Sequence, residues 1–207
     1  MIKKISWIIV VSFAIVIGFY PVIYFLIDRQ FGLLGSKDST VLESIFWNSA
    51  FYIHIVLGGI SLLTGWMQFS TKLRERNVKI HRALGIVYLL SVILSGSAGL
   101  YIAFYATGGI VAKAGFIGLA IVWLVTTLQA YRGILKRKIG LHQKLMIYSY
   151  AACLAAVTLR IWLPLLTIAF QDFIPAYRIV AWLCWVPNMV IAFFITRKLK
   201  TAQRSLA

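Results

Sequence analysis

Six apolar runs constrain this chain more than any other feature: residues 5–27, 47–69, 80–106, 114–131, 144–169 and 176–196. A bilayer crossing takes roughly 20 helical residues, and every run is close to or above that length. Lipid offers no partner to open backbone, and the runs are too long for barrel strands, so each is expected to be a helix. Composition agrees, with 61% apolar and 13% charged residues, where a soluble domain is nearer half and a quarter. The expected fold class is an all-α integral membrane protein, a six-transmembrane-helix bundle forming one domain over residues 1–207. The first run follows Lys3 and Lys4, but it exceeds the ~7–15 residues of a signal-peptide core and no small-residue cleavage pattern follows. It is expected to stay as a membrane helix.

Net charge +16 would suggest nucleic acid in a soluble protein. Its placement excludes that partner here. Alternating the loops from one side puts sixteen cations together: Lys3, Lys4, Lys72, Arg74, Arg76, Lys79, Arg82, Arg132, Lys136, Arg137, Lys138, Lys144, Arg197, Lys198, Lys200 and Arg204. The opposite side holds Arg29, Lys37, Lys113 and Arg178, and Arg160 is left inside a helix. Four of the five acids, Asp28, Asp38, Glu43 and Asp172, share that cation-poor side, whereas Glu75 joins the basic one. The positive-inside rule then sets both termini in the cytoplasm. The basic loops are expected to meet the lipid bilayer, and specifically anionic lipid at the cytoplasmic face. Multi-pass location in a membrane, in this orientation, follows as an expectation.

Local patterns foretell the packing. Ser91, Ser95 and Gly99 recur every four residues, as do the pairs Ala151/Ala155, Ala152/Ala156 and Ser61/Gly65. Such small residues let helix backbones approach. Pro21 and Pro187 should kink the first and sixth helices, with Asn188 placed to bond a freed carbonyl. Trp47, Trp162, Trp182 and Trp185 suit one interfacial belt, and Trp7 and Trp66 the other. Cys153 and Cys184 fall within helices at different depths, which argues against a bridge. Gly108-Gly109 reads as a turn.

Three histidines sit in one frame: His54-Ile-Val-Leu57-Gly58, His81-Arg-Ala-Leu84-Gly85 and His142-Gln-Lys-Leu145-Met146. Imidazole is the commonest metal and haem ligand. Depth divides the set. His81 and His142 both enter from the basic side in the first turn of their helices. His54 enters from the other side, roughly 10 Å in at the helical rise. It should therefore lie on the order of 20 Å from the pair in a ~30 Å hydrocarbon core. A three-histidine metal centre is excluded, whereas a bis-histidine haem b between His81 and His142 is geometrically open. Gly58 and Gly85, one turn beyond their histidines, would admit either a flat macrocycle or a neighbouring helix. Without a cofactor, His81 and His142 suit an interfacial bond to phosphate or a loop carbonyl. His54 could be satisfied by a nearby Ser, Thr or carbonyl. The segment Ile80–Ile86 also resembles Leu141–Ile147, which suggests duplicated helix pairs or a shared entry signal.

Arg160 is the other unusual residue. No run contains Asp or Glu, and an unpaired arginine in hydrocarbon costs at least ~2.5–3.5 kcal/mol. It can snorkel toward Asp172 or Glu43, or hold an anionic ligand group. It should share its level with His54, and Tyr52, Trp162 and Gln171 are candidates to line the same outward-facing pocket. Phosphate-binding glycine loops, His-Glu-x-x-His and Gly-x-Ser-x-Gly are absent from the sequence.

The stretches His81-Arg82-x-x-Gly85-x-x-Tyr88, His142-x-x-x-Met146-Ile147-x-Ser149-Tyr150-Ala151 and Ala155-Ala156-Val157-Thr158-Leu159-Arg160-Ile161-Trp162-Leu163-Pro164 resemble the bacterial predicted membrane proteins grouped as "domain of unknown function 2306". The resemblance runs from about His54 to Pro164. It implies a multi-helix inner-membrane protein, with His54, His81, His142 and Arg160 at motif positions. A looser similarity is to two-haem cytochrome b proteins of the ascorbate-reducing and ferric-reductase type, which hold haem b between paired histidines. This chain has three histidines rather than four, and its fourth helix has none, so the similarity reaches at most one haem, on His81 and His142.

Three functional readings follow. One is a haem- or metal-binding redox or cofactor-handling protein using His81, His142, His54 and Arg160. Another binds or transports a small lipophilic anion or quinone-like ligand. The third is a non-catalytic partner of a larger membrane complex, with the protein partners undefined.

Overall fold

The computed structural model describes residues 2–26 and 34–204, with side chains for 5–26 and 34–198. Ile27, Asp28 and Arg29, which enter the reading of the first helix and the charge pattern, lie outside the described residues. Among the described residues every regular element is helical. Six helices are long and apolar enough to cross a membrane: Ile5–Leu26, Ile45–Phe69, Val78–Ala103, Gly109–Leu135, Ile139–Phe170 and Phe173–Lys198. They are called the first to sixth spans below.

The fourth and fifth spans are longer than their apolar runs. Gly108 and Gly109 take positive φ (96° and 75°) and turn the chain, so the fourth helix starts there and carries Lys113 within it. Backbone hydrogen bonding continues through a cation that breaks an apolar count. Caps set other starts: Ser44 accepts from the Trp47 N–H, Asn77 from Ile80 and Asp172 from Ile174. Each replaces a bond that the first helical turn lacks.

Two distortions lie near prolines. Pro21 sits in a tight 3-10 turn, Tyr20–Val22, within the first span. In the sixth span the helix is interrupted between Leu183 and Val186, just before Pro187. The Asn188 amide donates to the Cys184 carbonyl at 3.0 Å and to Ala151 of the fifth span at 3.2 Å. The freed carbonyl is thus satisfied as the sequence suggested. The fifth span breaks at Leu154 without a proline.

The spans alternate in direction. The starts of the third and fifth lie together, and Arg178 at the start of the sixth bonds Gly108 at the start of the fourth. One end of the bundle therefore gathers the basic loops around Lys72–Arg82 and Arg132–Lys144, and is termed the basic end. The far end carries Ser36–Glu43, Tyr105–Gly109 and Gln171–Phe173. The fifth span is central, packing on the fourth and sixth and meeting the first and second.

The bundle is built inside out relative to a soluble protein. On the third span Tyr88, Ser91, Val92, Ser95 and Gly99 face inward, whereas Ile86, Leu90 and Leu94 are each 54% exposed. That division follows the helical period, with small and polar residues in the core and large apolar ones toward lipid. At the centre Tyr88 Oη meets Ser149 Oγ at 2.7 Å, Ser149 meets Thr127 at 2.6 Å, and Thr127 donates to the Trp123 carbonyl. Since Thr127 spends its proton on that carbonyl, Ser149 donates to Thr127 and Tyr88 to Ser149. Tyr88 and Ser149 each stand seven residues after His81 and His142, so equivalent positions of the internal resemblance meet. Gly65 leaves a notch filled by the Tyr150 ring, which donates to the Leu62 carbonyl.

Two residue readings are refined. Trp47 is buried (2% exposed) and stacks on Phe51, so it is a core residue and not part of a belt; Trp162 and Trp182 do face outward. Cys153 and Cys184 are both buried free thiols.

Candidate functional site

The four sequence-marked residues fall into two groups, one toward each end of the bundle. His54 and Arg160 belong to the far half, and the Arg160 charge reaches His54. His81 and His142 lie near each other at the basic end.

His54 is held tightly by the third span. Its Nδ1 lies 2.9 Å from the Ser95 carbonyl, and the Ser95 hydroxyl donates back to the His54 carbonyl at 2.8 Å. A carbonyl only accepts, so Nδ1 carries the proton and Nε2 keeps a lone pair. The ring occupies the space that a side chain at Gly99 would need: a Cβ there would stand 2.7 Å from Nδ1. Gly58 in turn faces the Ser95 hydroxyl. The Ser91–Ser95–Gly99 stripe is therefore the seat of the second span and of His54 itself.

Arg160 reaches across to the first span. Its guanidinium lies over the Tyr20 ring, 4.3 Å from the centroid. One Nη donates to the Ala156 carbonyl of its own helix at 2.8 Å, and Nε is buried with no acceptor. No carboxylate among the described residues pairs with it, so neither Asp172 nor Glu43 is its partner. The wall beyond is aromatic: Tyr20 meets Tyr24 edge-on at 5.9 Å, Tyr24 meets Phe51 at 5.3 Å, and Phe51 stacks on Trp47. Tyr52 packs on Phe25 and Phe51. Gln171 is exposed and donates to Ile168 at the end of its own helix, while Trp162 is 39% exposed. Tyr20 and Tyr24 escaped the sequence reading. Their signal was an i, i+4 tyrosine pair flanking Pro21, the two hydroxyls of an otherwise apolar half of the helix.

At the basic end the histidines differ in their bonding. His142 Nδ1 donates to the Ala130 carbonyl of the fourth span at 3.0 Å, leaving Nε2 as the free lone pair. His81 Nδ1 is buried with no partner. Gly85, one turn after His81, is faced by the Gln68 side chain, whose Oε1 would lie 3.3 Å from a Cβ there. Gln68 Nε2 is also buried without a partner, as is Trp66 Nε1. Both glycines of the frame thus admit a neighbouring protein side chain, and no cluster of three or more metal-type ligands occurs among the described residues. Gln68 gave no sequence signal, because it lies on a 3-10 turn just past the second helix.

At the far end, Lys37 pins the segment before the second span. Its ammonium donates to the Tyr105 carbonyl at 2.5 Å and to Thr107 at 3.1 Å, and Thr107 donates to the Ser36 carbonyl. Burial pushes the Lys37 amine down to about 8, with Lys113 adding to the fall and Asp38 opposing it.

No curated protein and no solved structure matches the chain. A family model described as a predicted membrane protein (DUF2306) matches residues 51–196, which takes in His54, His81, His142, Arg160 and most of the last five spans. That is well beyond half of the sequence, and the chain belongs to the DUF2306 family of predicted membrane proteins.

Proposed function

We propose that this protein binds the anionic or carbonyl head of a small lipophilic ligand, a fatty-acid-like anion or a quinone, at Arg160. The observation that carries the reading is the guanidinium itself. It is set between helices, stacked on Tyr20, without a described carboxylate partner and with Nε–H unspent. The Tyr20 stack and the Nη bond to Ala156 work against the ~2.5–3.5 kcal/mol that an arginine costs in a membrane helix. An oxyanion accepting from Nε–H would satisfy the donor that is left. The aromatic wall of Tyr20, Tyr24 and Phe51 suits an apolar tail or ring, and His54 Nε2 offers an acceptor nearby. The charge pattern supports cytoplasmic termini, a site nearer the outer half, and a bacterial inner-membrane setting.

The test is calorimetric titration of the purified protein in neutral detergent with decanoate and with decylubiquinone. The wild type should bind one of them and Arg160→Gln should lose roughly tenfold or more in affinity, the worth of one charge-assisted bond. Equal affinity in a folded Arg160→Gln, or no binding of either probe to the wild type, defeats the proposal.

One observation favours a second reading, a haem b between His81 and His142. The His142 Nδ1 bond to Ala130 fixes the ring so that Nε2 is free, the orientation a ligating imidazole requires. His81 lacks the matching acceptor, and Gln68 would have to leave Gly85 for a macrocycle to enter. A Soret band in the purified protein, shifted by dithionite and lost in His142→Ala, would establish this reading. A spectrum without haem absorption, together with haem-free analysis, would remove it.

A further inference from the structure

The geometry points to a second binding site at the basic end, for a phosphate group, formed by Gln68, His81 and Arg74. Three observations meet there. Gln68 lies against Gly85, and His81 occupies the same face one turn earlier, so both side chains share one crevice between the second and third spans. Each brings a buried nitrogen with no partner, Gln68 Nε2 and His81 Nδ1. Arg74, on the short helix Thr71–Arg76 that packs on the third span, and Arg82 both act electrostatically on His81.

Buried polar groups are normally satisfied, and two neighbouring exceptions call for an explanation. The amide N–H donates, and the imidazole donates as well in the tautomer that carries its proton on Nδ1. The group that answers them is acceptor-only, and the surrounding cations favour a negative one. Phosphate oxygens meet both conditions, while a quinone carbonyl gains little from the arginine field. Basic crevices between membrane helices at this depth suit lipid headgroups. His142 is not required, since its Nδ1 is committed to Ala130. The site shares no residue with the Arg160 proposal.

Native mass spectrometry of the delipidated full-length protein tests it, with short-chain phosphatidylglycerol, phosphatidylcholine of the same chain length, and inorganic phosphate as separate probes. Phosphatidylglycerol should be retained as one adduct in preference to phosphatidylcholine. Gln68→Leu should lose it while melting no lower than wild type, because an orphaned polar group is replaced by an apolar one. Arg74→Gln, an interfacial change that spares the fold, should weaken retention roughly tenfold, and Arg160→Gln should leave it intact. Displacement of the lipid by inorganic phosphate would identify a free phosphate-type ligand as the source; lipid that resists displacement would identify the headgroup. Equal retention in wild type, Gln68→Leu and Arg74→Gln, or no phosphate probe retained at all, overturns the site.

Discussion

His54 and His81 share the frame His-x-x-x-Gly, and the glycine of each frame faces a polar side chain from a neighbouring segment, yet they are bonded in opposite ways. His54 exchanges hydrogen bonds with Ser95 and fills the notch at Gly99. His81 leaves Nδ1 buried and unmatched beside an equally unmatched Gln68. The shared frame is therefore a packing device: its glycine makes room for a neighbouring side chain, Ser95 in one case and Gln68 in the other. Chemistry is sought at buried atoms left without partners; among the described residues these are His81 Nδ1, Gln68 Nε2 and Arg160 Nε, beside the indole nitrogens of Trp47, Trp66 and Trp123.

The sharpest break of this contrast is at Gly99. A methyl there collides with the His54 ring, so Gly99→Ala should destabilise the protein by about 1–3 kcal/mol. Adding His54→Ala should recover part of that loss, which a double-mutant cycle of unfolding in mild detergent would measure. A fully additive cycle would mean that the ring does not occupy the notch. Next in size, His54→Leu should cost about 1 kcal/mol, the net worth of the ring N–H bond to the Ser95 carbonyl, which keeps its own helical partner. His81→Leu breaks no bond and should stay within about 0.5 kcal/mol of wild type. Comparable losses at the two positions would erase the distinction. Arg160→Met should stay within about 1 kcal/mol of wild type, because the intramembrane cost it removes is close to the Tyr20 and Ala156 contacts it loses. A clear loss of stability there would show that the arginine already has a strong partner.

Much of the architecture could be read from the chain because the bilayer acts as a length filter. The six runs, the serine–glycine face of the third span and the Asn188–Cys184 bond all follow from local patterns. So did the division of the histidines, since depth depends only on distance from a helix end. Partners across helices were not legible. Nothing local says that Tyr20 will lie under Arg160, or that Gln68 will close Gly85, because both contacts depend on which helices become neighbours. The fourth span outran its apolar run because Lys113 interrupts hydropathy without interrupting backbone bonding. Trp47 was mistaken for a belt residue because a buried aromatic near a helix end has the same local signature as an interfacial one.

A separate test concerns pH. Lys37 has a folded value of about 8 against an ordinary 10.5, so the unfolded chain holds the extra proton between them. Stability should therefore rise as pH climbs through that window and be flat on either side. Melting curves of wild type and Lys37→Met from pH 7 to pH 11 should diverge only there. A parallel pair of profiles would show that the lysine is not held as described.

The central claim is that Arg160 keeps an N–H in reserve for a ligand. Its most direct test is the Nε–H resonance of Arg160 in ¹⁵N-arginine-labelled protein, assigned by its disappearance in Arg160→Lys. Adding decanoate or decylubiquinone should move that resonance downfield, saturably, while the other arginine signals stay in place. An Nε–H signal unmoved by either probe, at concentrations that saturate any calorimetric binding, would contradict the account.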